Sequence, residues 1–268
     1  MTIVKYTNRV FLSDNLLLMT GMQDSMVDLI YCDVLYHTGR KFVDYDDNLG
    51  TTVQAVEWYR PRLNEMKRVL KDTGNIYIHC DYRLSHYLKI EMDKIFGEEN
   101  FINEIVWAYR TGGVSKRYFQ KKHDIILRYS KTKDYTHNPM FDKSYLESQK
   151  TVDVNSPSSK KWDLKRDENG VYRNVHMRDV WDINIIYNQD KQAVGYFSQK
   201  PKKLLERIIL SSSNEGDLVA DFFMGSGTTC VVAKELGRNY LGCDINPRAI
   251  EITNERLESI SKVLLDNQ

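Results

Sequence analysis

The stretch DFFMGSGTT, Asp221 to Thr229, decides the fold. It closes an apolar strand-like run, DLVADFF, turns on Gly225 and Gly227, and opens a helix-like run, TCVVAKELG. A strand, a glycine turn and a helix start make a cradle for a nucleotide-like ligand. Glycine lets the backbone come close, and the first helical N–H groups have no partner within the helix. Asp244 closes the next strand-like run, NYLGCD, where a carboxylate can accept both hydroxyls of a ribose. A dinucleotide fingerprint would need a third glycine, and a phosphate loop would need Gly-Lys-Ser/Thr; the turn has neither. A ligand with a ribose and no phosphate fits better, which points to S-adenosylmethionine. Taken alone, the glycines also suit an ordinary tight turn of an α/β sheet.

Outward from this stretch, strand-like and helix-like segments alternate. VDLIYCD, NIYIHCD, NEIVWAY and DIILRYS are short β-branched or aromatic runs bounded by polar residues. Helical spacing is expected over Val53 to Leu70, Leu84 to Phe96, Pro201 to Ser211 and Pro247 to Leu264, with Pro201 and Pro247 as first-turn prolines. The alternation predicts an α/β sheet with helices on both faces. It breaks between about Thr111 and Val194, where polar clusters such as NSPSSKK and RDENG read as an insertion with a hairpin at Asn169-Gly170.

A second chemical signal closes the strand VDLIYCD: Asp33-Val34-Leu35-Tyr36. Ligands of open α/β sheets bind beyond the carboxyl ends of strands. There Asp33 and the Val34 carbonyl can accept from one exocyclic amine while Tyr36 stacks on its ring. By itself such a tetrapeptide is also a common strand-end turn.

The net charge of +1 hides an asymmetry. Between Arg110 and Val180 there are 16 Lys+Arg against 9 Asp+Glu, a surplus of +7; the rest of the chain carries −6. A basic middle suits a polyanion, and Lys160, Lys161, Lys165 and Arg166 are candidates to meet its phosphates. Tyr109, Tyr118, Phe119, Trp162, Tyr172 and Trp181 are interleaved with the charges and offer faces on which bases can stack. A solvated lysine-rich surface would have the same charge count.

Other classes fare less well. No run has the apolar length of a membrane span, and the N-terminus lacks the basic-then-apolar pattern of a signal peptide. Cys32, Cys80, Cys230 and Cys243 are scattered, and the six histidines show no ligand spacing. These residues predict buried thiols in a reducing cytoplasm and no metal site.

Taken together, the pieces resemble a DNA amino-methyltransferase of the permuted type, in which the catalytic motif precedes the cofactor motif. SDN at Ser13 to Asn15, VDLIYCD-VLYHTG, GNIYIHCD, HYLK with IFGEENFINEIVW, KHDIILRYSK, YFSQKPKKLLERII, DFFMGSGTT, LGCD and AIEITNERL stand in the family's order. The resemblance implies a Rossmann-like, mostly parallel seven-stranded sheet with one antiparallel strand. Its halves would be residues 1–110 (catalytic) and 195–268 (cofactor-binding), with a target-recognition region at 111–194. By the same resemblance Asp221, Phe222, Gly225, Gly227 and Thr228 hold the methionine part of S-adenosylmethionine. Ser198, Gln199 and Lys200 close that pocket, Asp244 takes the ribose, and Asp14 lies beside the adenine. Asp33, Val34 and Tyr36 match the catalytic tetrapeptide. Val34-Leu35 replaces the family's Pro-Pro, which fixes backbone angles and contributes no side-chain chemistry. Asp in the first place resembles the adenine enzymes. The implied substrate is double-stranded DNA with its target base flipped out, methylated on adenine N6. Cytosine N4, a DNA-binding protein with a decayed site, and a nucleotide-dependent oxidoreductase are the alternatives. A homodimer is implied by resemblance alone, and the residues do not indicate whether a restriction enzyme accompanies the chain.

Overall fold

The computed structural model describes residues 5–41, 47–147 and 152–266. They fall into two compact units. The larger comprises residues up to His137 and from Asp179 onward; the smaller is Asn138–Arg178.

The larger unit opens with β1 (Arg9–Leu12), α1 (Asn15–Thr20), β2 (Val27–Asp33), α2 (Thr52–Val69), β3 (Leu70–Cys80) and α3 (Ser85–Phe96). β4 (Phe101–Ala108) and β5 (His123–Ser130) follow as an antiparallel pair. In the smaller unit lie β6 (Phe141–Tyr145), α4 (Pro157–Lys161), β7 (Lys165–Asp167) and β8 (Gly170–His176). The larger unit resumes with β9 (Val180–Asp182), α5 (Lys202–Ser212), β10 (Leu218–Asp221), α6 (Thr228–Glu235), β11 (Asn239–Asp244) and α7 (Pro247–Asp266).

One sheet of eight strands, in the order β1-β11-β10-β2-β3-β5-β4-β9, forms the larger unit. All neighbours pair in parallel except β5, which runs antiparallel to both β3 and β4. The expected mostly parallel sheet with one antiparallel strand is there. The strand beyond the expected seven is β9, three residues paired with Val106, Trp107 and Ala108 of β4. Strand alternation fills both faces. On β2, Ile30 and Cys32 join a core with Tyr59, Leu63 and Leu88 of α2 and α3, whereas Leu29 and Tyr31 join a core with Leu204, Ile208 and Val232 of α5 and α6.

The expected helices form with ends shifted by a residue or two. α2 starts on a reciprocal cap, in which Thr51 accepts from Gln54 N and Gln54 accepts from Thr51 N. α1, absent from the sequence expectations, is capped by Asp14, whose Oδ1 accepts from Leu17 N at 3.1 Å.

The smaller unit is a three-stranded antiparallel sheet, β6-β8-β7. It occupies only part of 111–194, because β5 and β9, which also come from that stretch, belong to the large sheet. The hairpin expected at Asn169-Gly170 forms with its turn one residue earlier. Asp167 faces Gly170, so Glu168 and Asn169 are the turn and Gly170, at φ 130°, begins β8. Among the described residues no helix is long and apolar enough to cross a membrane.

Candidate active site

Sheet topology places a crevice between β2 and β10. From β10 the chain winds through α6 to β11 on one side, and from β2 through α2 to β3 on the other. Such a reversal opens a cleft beyond the carboxyl ends of the strands. Those ends carry Asp33 (β2), Asp221 (β10) and Asp244 (β11), with Asp14 just after β1. All four line one cavity of about 360 Å³, together with Trp58, Phe223 and other apolar side chains.

The Gly225–Gly227 turn forms one wall. Gly225 (φ 50°) and Gly227 (φ 73°) both take the left-handed conformation that glycine favours. A Cβ on Gly227 would lie 2.2 Å from Thr253 Oγ1, so α7 leaves no room for a side chain. Arg256, one turn on, donates to the Ser226 carbonyl and to Thr228 Oγ1. The tail motif AIEITNERL is therefore the brace of the glycine turn. Asp244 holds the turn from the other side. Its Oδ2 accepts from Gly225 N at 2.8 Å and its Oδ1 from Asn246 N at 2.9 Å, and each oxygen keeps capacity for another donor.

Asp221 is fully buried. Thr229 Oγ1 donates to its Oδ2 at 2.6 Å and Phe223 N to its Oδ1 at 3.0 Å, but no cation pairs with it among the described residues. Burial pushes its carboxyl up from 3.8 to about 7, against those two hydrogen bonds and with the help of Asp33 and Asp244. Asp244 is raised by burial as well. This pair of carboxylate acceptors fits a cationic, ribose-bearing ligand, whose charge would favour the ionised form of Asp221.

A pH dependence follows. The native state keeps the Asp221 proton up to about pH 7, whereas the unfolded chain releases it near 3.8. Between those values the native state binds more protons, so this group's contribution to stability falls as pH rises. Asp221→Asn is expected to melt higher than the parent at pH 8, by on the order of a few kcal/mol. The difference should vanish towards pH 4. Parallel melting curves at both pH values would contradict the assignment.

At the opposite wall Asp33 is gripped from two sides. Tyr36 Oη donates to Asp33 Oδ1 at 2.8 Å, and Lys200 Nζ donates to Asp33 Oδ2. Behind it lies a buried polar network. Asp124 Oδ2 is 3.3 Å from both Tyr36 Oη and His79 Nε2, Tyr109 Oη donates to Asp124 Oδ1 at 3.0 Å, and Tyr31 Oη bonds His79 Nδ1 at 2.8 Å. Burial opposes the charge of Asp124, yet His79, Lys200 and Tyr109 together hold its carboxyl below the usual range. Burial, then Asp33 and Asp124, push the Tyr36 hydroxyl far up, so it remains a donor.

The replacement of Pro-Pro by Val34-Leu35 also acquires a physical reading. Val34 N donates to the His79 carbonyl of β3 at 3.1 Å, a bond proline cannot make. Tyr59 Oη of α2 donates to the Leu35 carbonyl at 2.8 Å. Two hydrogen bonds thus hold the backbone that proline rings would otherwise stiffen. No described residue donates to the Val34 carbonyl.

Of the residues expected in the site, Asp14, Asp33, Val34, Tyr36, Ser198, Lys200, Asp221, Phe222, Gly225, Thr228 and Asp244 line the cavity. Gly227 stands behind it, packed on α7. Gln199 does not line it; its side chain braces the preceding loop, accepting from Val194 N at 3.0 Å and donating to the Gln192 carbonyl at 2.7 Å. Lys200 pairs with Asp33. Asp14 is occupied by its cap and by Arg62 Nη2 at 2.9 Å. Lys160, Lys161, Lys165 and Arg166 lie in the smaller unit and are exposed. His79, Asp124 and Arg62 were not expected from the sequence. All four cysteines are free and buried, and burial pushes their thiols up, away from nucleophilic use. No group of three or more metal-ligating side chains occurs among the described residues.

The sequence model of a DNA methylase family covering N6 and N4 amino-methyltransferases matches residues 27–255. The chain is 32% identical over 252 residues to Type II methyltransferase M.HpaI of Haemophilus parainfluenzae, an alignment spanning 94% of this chain and 74% of that protein. It is 31% identical over 241 residues to the DNA adenine methyltransferase YhdJ of Escherichia coli K12, across 88% of this chain and 77% of that one. In fold it is similar to M1.HpyAVI, solved as a complex with S-adenosylmethionine. The TM-score is 0.58 at 18% identity, over 93% of this chain and 98% of that one. The chain belongs to the N6/N4 DNA methylase family.

Proposed function

We propose that the protein transfers a methyl group to N6 of adenine in double-stranded DNA. The observation that carries this reading is the hold of Asp33 on an amine: the carboxylate at the end of β2 already accepts from Lys200 Nζ inside the crevice. An adenine amine entering there would take the place of that nitrogen, and Lys200 would release Asp33 as it does so. Asp33 and the Val34 carbonyl would accept hydrogen bonds from its two N–H groups, Tyr36 would offer its ring, and the one proton lost on methylation would leave through Asp33 to solvent. This grip draws the nitrogen lone pair out of conjugation and turns it toward the other end of the crevice.

When bound, S-adenosylmethionine supplies the electrophilic methyl group. Asp244 would hold its ribose, while Asp221 and the Gly225–Gly227 turn would hold the charged end. The chain's own share of the rate comes from positioning and preset dipoles. Asp as the first residue of the tetrapeptide, and the adenine enzyme among the relatives, support adenine over cytosine N4. A cytoplasmic location suits this function.

Sequencing with modification detection on DNA from cells expressing the chain tests the reading. Methylated adenine in one fixed sequence context is expected. Methylation on cytosine N4 would move the target base, and unmodified DNA would favour a decayed site.

Residues 138–178 are proposed to read the target. Lys160, Lys161, Lys165 and Arg166 are exposed there, and their ties, Lys165 to Asp163 at 3.0 Å and Arg166 to the Val152 carbonyl, are of the weak surface kind. Trp162 stands 59% exposed beside them. Replacing all four cations by Ala should flatten the slope of log affinity against log salt by about 1 for each phosphate no longer neutralised. An unchanged slope would place the phosphate-binding surface elsewhere.

A further inference from the structure

β4 runs parallel to β2 and β3, so its carboxyl end lies at the same edge of the sheet as Asp33. The β4–β5 connection, residues 109–122, hangs from that edge. Its base is pinned. Tyr109 N donates to the Lys122 carbonyl at 3.0 Å, Tyr109 Oη to Asp124, Lys122 Nζ to the Thr111 carbonyl, and Tyr187 Oη to the Arg110 carbonyl at 2.7 Å. Tyr109 ties the loop directly to the network behind Asp33 and Tyr36.

Beyond Gly112 and Gly113 the loop stands out from the sheet. Phe119 is 98% exposed, Val114 92% and Tyr118 64%. Bare apolar side chains of this size call for a partner. Their neighbours define which one. Arg110, Lys116, Arg117, Lys121 and Lys122 carry five positive charges, and no acidic residue lies between Tyr109 and His123. An apolar tip set among cations suits a duplex, whose phosphates take the charges and whose base stack takes the ring.

The structure assigns the 109–122 loop as the arm that enters the duplex, with Phe119 filling the space that the extruded target base leaves in the stack. The assignment rests on the DNA-methylation reading above and adds to it the residue that opens the helix. Extrusion costs unstacking and unpairing energy, and an apolar side chain inserted in the gap offsets part of it.

The test uses the full-length protein and a duplex carrying the sequence mapped by modification-detecting sequencing. One version has the target base paired and the other has it mismatched, so that extrusion is already cheap. Phe119→Ala should slow methyl transfer on the paired duplex by about tenfold to a hundredfold, the scale of one base stacked on an aromatic ring. On the mismatched duplex the loss should shrink to a few-fold. Phe119→Leu, which keeps an apolar wedge, should stay close to the parent on both. Equal losses on the two duplexes, or no loss on the paired one, would overturn the assignment. So would a change in molecular mass in light scattering, since Phe119 would then bury against a second copy of the chain. Parent protein that methylates neither duplex would remove the underlying reading, and the wedge with it.

Discussion

Asp33→Ala is expected to abolish methyl transfer while cofactor affinity stays within a few-fold of the parent. Asp33 sits at the end of β2 and receives Tyr36 Oη and Lys200 Nζ, whereas Asp221 and Asp244, proposed to hold the cofactor, close β10 and β11. Removing one preorganised electrostatic group from an active site costs roughly 10²–10³ in rate. Asp33 should reach at least that, because the amine would lose both its orientation and an acceptor. Val34→Ala should be mild by comparison, since the carbonyl and the N–H bonded to His79 are backbone groups. Labelled-methyl transfer, run beside calorimetry of cofactor binding, separates the two effects. Full activity in Asp33→Ala would reduce Asp33-Val34-Leu35-Tyr36 to a strand-end turn.

For Asp244→Ala the loss should fall on binding. Both carboxylate oxygens already hold the turn through Gly225 N and Asn246 N, and the residue lines the cavity where a ribose would lie. Losing a charged hydrogen-bond acceptor costs on the order of 1.5–3 kcal/mol, about tenfold to a hundredfold in Kd. Because the same carboxylate shapes the turn, Asp244→Asn is the informative companion. It keeps one acceptor oxygen and should fall between the parent and Asp244→Ala. Calorimetry that finds unchanged affinity in Asp244→Ala would remove the ribose assignment.

Much of the site was readable because parallel, doubly covered strands appear as unbroken apolar runs whose ends are conspicuous. VDLIYCD, DLVAD and NYLGCD each stop at an aspartate, and the sheet places those three carboxylates around one cavity. What escaped the reading depends on pairing between distant segments. Lys200 and Asp33 are 167 residues apart, and Tyr36 and Asp124 are 88 apart; only the folded chain, through registers such as β2–β3 and β3–β5, brings such groups together. His79 looked like part of an apolar strand because NIYIHCD gives no hint that its imidazole is sandwiched between Tyr31 and Asp124.

Elsewhere the obstacle was local. β9 is too short to carry a pattern, and β6 and β8 lie in a small sheet where only Val171 is buried, so their residues read as polar loop. The aromatic residues of the basic middle also divide in a way the sequence could not show. Trp181 is buried against the large sheet, while Tyr118, Phe119 and Trp162 face solvent and remain open to stacking. Gln199, which the family resemblance puts at the pocket with Ser198 and Lys200, faces the loop it braces, because its amide bonds two backbone groups of that loop.

The proposed role of Asp33 is to present an adenine amine for methylation. Its most direct test is nucleoside mass analysis of duplex DNA incubated with purified protein and S-adenosylmethionine, parent beside Asp33→Ala. N6-methyladenine is expected with the parent and none with the variant. N4-methylcytosine, no methylated base with the parent, or equal N6-methyladenine from both proteins would contradict that role.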